Sequence, residues 1–193
     1  PSALALTRQN VPTLDRSRLG SADGVAKGGY VLAQAHDGEP EVLLIGTGSE
    51  VQLALQAQET LRSDGIQAQV ISMPCQEWFL KQEQTYRDEV LPPSVRARVS
   101  VEAGVAQGWR ELVGDAGRMV SLEHFGASAD YETLYQEFGI TAEAVVQAAR
   151  DSIQAAQADE APAHNTPTQP GDEASALGDA ASGGNRSSDA TEK

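Results

Sequence analysis

Arg8 is the first residue in the chain equipped to do chemistry. It closes the stretch "LALTRQN" (residues 4–10), in which the apolar Leu4, Ala5 and Leu6 give way abruptly to Thr7, Arg8, Gln9 and Asn10. A short apolar run bounded by turn formers predicts a buried strand whose C-terminal end meets solvent or a cleft. Open α/β sheets place ligand-binding groups at such ends. A guanidinium there can fork onto a phosphate or carboxylate, or it can pair with a nearby acid or simply lie on the surface, and local sequence leaves these readings open. "GTGSE" (46–50) is a glycine-rich strand-to-helix turn of the kind that can cradle an anion. It lacks the third glycine of a dinucleotide fingerprint and the Gly-Lys-Ser/Thr of a P-loop. The simpler expectation is a tight turn with Ser49 as N-cap and Glu50 facing the helix dipole.

"EHFGASAD" (123–130) carries Glu123, His124 and Ser128, a serine–histidine–acid trio without the G-x-S-x-G elbow of a hydrolase. A structural or interface role for His124 and its loop suits the pattern better than nucleophilic catalysis. His36 and His124 show no ligand spacing with Cys75, so no metal site is expected. Cys75 follows a strand end and reads as an inert buried thiol. Trp78 and Phe79 open a helix and read as core or interface anchors.

The elements that would position these groups are legible in outline. Residues 11–27 mix Pro12, Gly20 and Gly24 with polar residues and read as a linker. "GGYVLAQA" predicts a strand over 30–35. "HDGEP" then gives an Asp-Gly turn signal before the apolar "EVLLIG", so the two strands are expected to pair as an antiparallel hairpin. From Val42 onward strands alternate with helices. Val51, Ala54, Leu55 and Leu61 fall near helical spacing, with Gly65 at the C-cap. "AQVISMP" is a strand stopped by Pro74, and "EWFLKQEQTYRDEVLPP" is one helix ended by Pro92–Pro93. "ARVSVEAG" and "RMVSLEHFG" are further strands. Helical stretches are expected at Trp109–Val113, Tyr131–Phe138 and Thr141–Ala156. This alternation implies right-handed crossovers and a mixed, mostly parallel sheet covered on both faces.

The chain has 193 residues, 40% hydrophobic and 22% charged, with a formal net charge of −14. An acidic chain without a basic cluster argues against nucleic acid and anionic membrane surfaces, and no apolar run approaches the ~20 residues of a membrane span. The single Cys75 rules out an internal disulfide framework and suits a reducing compartment, so cytoplasm is the expectation. After about Ala158 the composition falls to Ala, Gly, Ser, Pro, Asp and Glu. Such a segment cannot bury enough surface to offset its ordering entropy. It is expected to be a disordered acidic tail, with His164 inside it. No initiator methionine opens the chain, which reads as a piece of a longer protein.

Taken together, "ALTRQNVP", "GYVLAQ", "VLLIGTGSEVQLALQAQETL", "VISMPCQEWFLKQEQTYRDEVLP", "RVSVEAGVAQGW" and "SLEHFGASAD…LYQEFGITAEAVVQAAR" resemble transketolases in content and order, from residue 1 to about residue 153. The resemblance implies that 1–24 are the last strand and exit of a pyrimidine-binding domain. It implies that 25–156 form a C-terminal α/β domain, three layers around a mixed five-stranded sheet, followed by the tail at 157–193. It implies a cytoplasmic homodimeric parent that moves a two-carbon ketol unit between sugar phosphates with thiamine diphosphate and magnesium. Arg8 falls on the family's phosphate-binding arginine. The "GDG…N" cofactor segment is not matched by "GDAG" (114–117), and the catalytic glutamate and histidines would lie upstream of Pro1. The fragment alone is therefore expected to be inactive. Other thiamine-dependent enzymes (deoxyxylulose-phosphate synthases, 2-oxo acid dehydrogenase subunits) and a non-catalytic dimerisation module are the alternatives.

Overall fold

The structure, a computed structural model, describes residues 3–160. Two strands with apolar residues on both faces anchor it: β2 (Val42–Gly46) and β3 (Ala68–Ser72). A strand buried on both sides belongs inside a parallel sheet with helices above and below. β2 accordingly pairs in parallel with β3 on one side and with β4 (Arg98–Val101) on the other, and β5 (Arg118–Val120) continues in parallel beyond β4. β1 (Tyr30–Ala33) runs antiparallel to β3, with Tyr30 opposite Ser72, giving the order β1-β3-β2-β4-β5. The expected mixed, mostly parallel five-stranded sheet is what forms.

Alternate side chains of each strand feed two cores. Val42, Leu44, Val70, Val99 and Val101 pack against α1 (Val51–Ser63) and α6 (Ala142–Glu160), with α5 (Tyr131–Glu137) adding Tyr135 at the edge. Leu43, Ile45 and Ile71 face the opposite layer, made by α2 (Gln76–Leu80), α3 (Gln84–Val90) and α4 (Arg110–Val113), whose Phe79, Val90, Leu112 and Val113 are buried. α1 ends one residue before the expected cap: Asp64 is the C-cap, and Gly65 follows it at φ 81° with its N–H on the Arg62 carbonyl at 3.0 Å.

Five local expectations are corrected. Residues 4–6 form no strand: Leu4 and Leu6 are 85% and 81% exposed, because a three-residue apolar run needs a sheet neighbour and none of the described strands lies beside it. The 30–35 and 42–46 strands are not a hairpin, since β3 lies between them. The Asp-Gly turn does form, with Gly38 at φ 80°. However, the doubly apolar β2 and β3 take the centre and leave β1 the edge, where Gly20 N–H meets the Leu32 carbonyl at 2.7 Å. The helix expected over 77–91 splits into α2 and α3. The polar run Lys81–Gln84 has no apolar side chain to hold a turn on the sheet, and Glu83 adopts extended backbone (ψ 147°). Cys75 is half-exposed rather than buried, its thiol 3.4 Å from a Glu77 carboxylate oxygen. The tail expected from residue 157 starts as helix, because α6 runs on to Glu160. The rest of that segment, including His164, lies outside the described residues.

A buried hydroxyl ties α6 to the sheet. Ser152, fully buried, donates to the Ala116 carbonyl at 2.8 Å and accepts from the Arg98 backbone N–H at 2.9 Å. Ser152→Ala strands the Arg98 N–H and leaves the Ala116 carbonyl only the Arg118 Nη1 at 3.1 Å. It should lower the urea unfolding free energy by about 1–3 kcal/mol, and a loss below half a kilocalorie would show that the neighbours find other partners.

Candidate functional site

In this strand order the chain leaves β2 toward β3 and leaves β4 in the opposite direction, toward β5. The carboxyl ends of β2 and β4 therefore flank a topological switch point, where open α/β sheets form their ligand crevice. Residues 47–50 after β2, residues 102–105 after β4 and the 121–130 loop after β5 all gather at this edge.

The feature that organises it is a buried carboxylate. Glu50, 5% exposed, ends a single 3₁₀ turn (Gly48–Glu50) ahead of α1. Its Oε1 accepts from the Ser49 hydroxyl at 2.6 Å and from the Tyr135 phenol in a short hydrogen bond. Its Oε2 accepts from Ala103 N–H at 3.3 Å. A buried carboxylate is tolerable only when its lone pairs are met in this way. Ser49 is thus not the N-cap: Glu50 itself takes that position for α1 and Thr47 for the 3₁₀ turn before it, neither with a side-chain capping bond. "GTGSE" is not a phosphate cradle either, because a second anion would meet the carboxylate already bound there. Burial, then the bond to Glu50, pushes the Tyr135 phenol above its ordinary pKa, which keeps it a donor.

Tyr135 also reaches the N-terminal segment. The Gln9 side-chain amide donates to its phenol oxygen at 3.4 Å, and the Thr7 hydroxyl bonds to Gln9 Oε1. Arg8 lies between these two residues, exposed and without an ion pair or hydrogen bond among the described residues. Among the described residues the ion-pair form of the alternative for Arg8 is absent, while a plain surface position is what its exposure gives.

The trio in "EHFGASAD" does not assemble. Glu123 accepts from Ala106 N–H at 2.8 Å and from the Ser121 hydroxyl at 2.9 Å, which hold it below the usual carboxylate range. His124 Nδ1 lies 2.8 Å from its neighbour's carbonyl oxygen on Phe125, and its ring packs edge-on against Phe138 at 4.8 Å. Ser128 is exposed, and no bond joins the three. Among the described residues no three His, Cys, Asp or Glu side chains gather as metal ligands, and no helix is long and apolar enough to cross a membrane. Trp78 and Phe79 part company: Phe79 is core, whereas Trp78 is half-exposed.

Composition and spacing point to Arg8 and Glu50 but not to Tyr135, which reads there simply as part of a helix. The signal available was chemical: a tyrosine on the apolar Leu134–Tyr135–Phe138 face needs a partner for its hydroxyl once packed.

Known proteins resemble this chain in sequence and fold. The family described as the transketolase-like TK C-terminal domain matches residues 28–141. The transketolase of Mycobacterium bovis is 57% identical over 157 residues, which is 79% of this chain and 22% of that protein. Among solved structures, the transketolase from Leishmania mexicana superposes with a TM-score of 0.64 at 38% identity, over 77% of this chain and 20% of its own. A transketolase from Pichia stipitis in complex with sedoheptulose 7-phosphate gives 0.69 at 33% identity, over 78% and 21%. The chain spans about a fifth of the length of these relatives. With the family's domain matched over more than half its residues, this chain belongs to the transketolase family and carries its C-terminal domain.

Proposed function

We propose that this chain is the C-terminal part of a transketolase, a protein that as a whole moves a two-carbon ketol unit between sugar phosphates, and that Arg8 grips the phosphate of the sugar. In this reading residues 1–24 are the exit of the pyrimidine-binding domain, 25–156 the C-terminal domain and 157–193 an acidic tail. The parent is a cytoplasmic homodimer. The supporting observation is the position of Arg8: a guanidinium exposed and unpaired among the described residues, next to Gln9, which bonds Tyr135 at the carboxyl edge of the sheet and Thr7 on the other flank. A guanidinium presented this way suits a phosphate, which it can meet with two parallel N–H bonds. The sugar phosphate bound by the Pichia stipitis relative is a ligand of that chemistry.

Thiamine diphosphate, which supplies the electron sink for ketol transfer, and magnesium belong to this proposal for the parent alone. The described residues offer neither a carboxylate set for magnesium nor an open anion cradle at "GTGSE", so they do not fit that cofactor. What this chain contributes is binding and orientation.

The test uses the whole enzyme with and without Arg8→Ala, following ketol transfer from a phosphorylated and an unphosphorylated donor. Loss of a charge-assisted phosphate contact should cost about 1.5–3 kcal/mol, or roughly 10- to 150-fold in kcat/KM, on the phosphorylated donor alone. An equal loss on both donors would make Arg8 structural. A whole enzyme that transfers nothing would remove the activity reading itself.

A further inference from the structure

Of residues 3–10, Gln9 alone is half-buried; the others are exposed, and the apolar Leu4 and Leu6 touch no core. Apolar packing against the described residues therefore does not hold this segment. Among those residues its tie to the C-terminal domain is one amide. Gln9 Oε1 accepts the Thr7 hydroxyl and Gln9 Nε2 donates to Tyr135, so both flanks of Arg8 are fixed through the same side chain.

The phenol that receives this amide is itself immobilised. Its single hydrogen goes to Glu50, which leaves the oxygen lone pairs to accept from Gln9 and fixes the direction of the bond. Glu50 is held in turn by Ser49 at 2.6 Å and by Ala103 N–H at 3.3 Å. Those groups come from the loops after β2 and β4, and Tyr135 comes from α5, so three parts of the C-terminal domain fix one point. Raising the phenol's pKa, as its burial does, keeps the donor hydrogen in place.

We propose that Tyr135 is a positioning residue for Arg8: the chain Glu50–Tyr135–Gln9 registers the segment bearing the guanidinium on the carboxyl edge of the C-terminal domain, and so sets where the substrate phosphate is met. This deepens the reading of Arg8 as the phosphate anchor and rests on it. Tyr135 touches neither phosphate nor reacting atoms. It acts through Gln9, and its removal changes the freedom of Arg8 rather than its charge.

The experiment is steady-state kinetics on the whole enzyme carrying Tyr135→Phe, Gln9→Leu, Arg8→Ala and the Arg8→Ala/Tyr135→Phe pair, each with a phosphorylated and an unphosphorylated ketol donor. Tyr135→Phe keeps the ring and its packing and deletes only the hydroxyl. Loss of one net hydrogen bond should raise KM for the phosphorylated donor about five- to tenfold. The KM for the unphosphorylated donor should move less than twofold. Gln9→Leu, which leaves Glu50 and Tyr135 bonded, should reproduce the shift. On the Arg8→Ala background Tyr135→Phe should add nothing, because there is no guanidinium left to place. The proposal is overturned if Tyr135→Phe affects both donors alike, affects neither, or adds its full effect on top of Arg8→Ala. In each of those cases a selective Arg8→Ala defect would leave the phosphate-anchor reading standing. A non-selective Arg8→Ala defect would bring down both.

Discussion

Trp109→Ala should lower the unfolding free energy by about 3–5 kcal/mol, the range for deleting a large aromatic from a closed core. Trp109 is 1% exposed and is among the largest fully buried side chains in the fold. It sits between the 3₁₀ turn Ala106–Gly108 and α4, filling the layer with Phe79, Leu112 and Val113 over Ile45 and Ile71. Its indole N–H also donates to Glu102 Oε2 at 2.7 Å, just past the end of β4. Truncation opens a cavity and strips the carboxylate of its donor together. Trp109→Phe refills most of the volume and should cost less than half as much. The chain has two tryptophans, and Trp78 is half-exposed. The folded Trp109→Ala protein should therefore lose the blue-shifted component of the emission and keep the red-shifted one. A loss of stability under 1 kcal/mol would mean that α4 closes over the gap.

The strand–helix alternation was legible because β2, β3 and β4 are short, largely apolar runs with a glycine or proline at or just past the end: Gly46, Pro74, Gly104. Which strand lies next to which was not. The Asp-Gly turn at 37–38 forms as read, yet the strands on either side of it do not pair. The decision lies with β2 and β3, whose two apolar faces need helices above and below and so occupy the centre. That is a property of the whole sheet and not of the turn. The break at Lys81–Gln84 illustrates the same limit, since helix propensity there is adequate and only the lack of an apolar anchor interrupts it. At the candidate site, the carboxylate of Glu50 was visible as a helix-start residue. Its burial was not, because its partner Tyr135 lies 85 residues away. Exposed Phe125, at 98%, shows the converse: an aromatic that local pattern would send inward stands in solvent on the loop after β5.

Arg98→Met should destabilise the fold by about 3 kcal/mol although it removes no core volume. Arg98 begins β4 opposite Leu43, so its side chain enters the layer of α2, α3 and α4. There the guanidinium donates to four carbonyls: Nε to Val95 at 2.9 Å, Nη1 to Leu112 at 2.9 Å, and Nη2 to Leu91 at 3.3 Å and Pro92 at 3.0 Å. Leu91 is the C-cap of α3 and Leu112 lies in the last turn of α4. One cation thus meets the unsatisfied carbonyls and the negative dipole ends of two helices at once. Burial lowers its pKa from the ordinary arginine value and Asp115 partly opposes this, but a guanidinium stays charged throughout. Methionine preserves the stem and takes the donor from the Val95, Leu112 and Leu91 oxygens, while Pro92 keeps the Val95 N–H at 3.0 Å; the cost is about 1–3 kcal/mol for each group that water does not reach. Lysine restores the charge on a single point with no planar fork, so Arg98→Lys should recover less than half of the loss. Urea unfolding of the three proteins decides the matter. Equal stability of the lysine and arginine forms would show that the charge alone caps both helices, whereas a methionine form within 1 kcal/mol of the parent would show that solvent already serves these carbonyls.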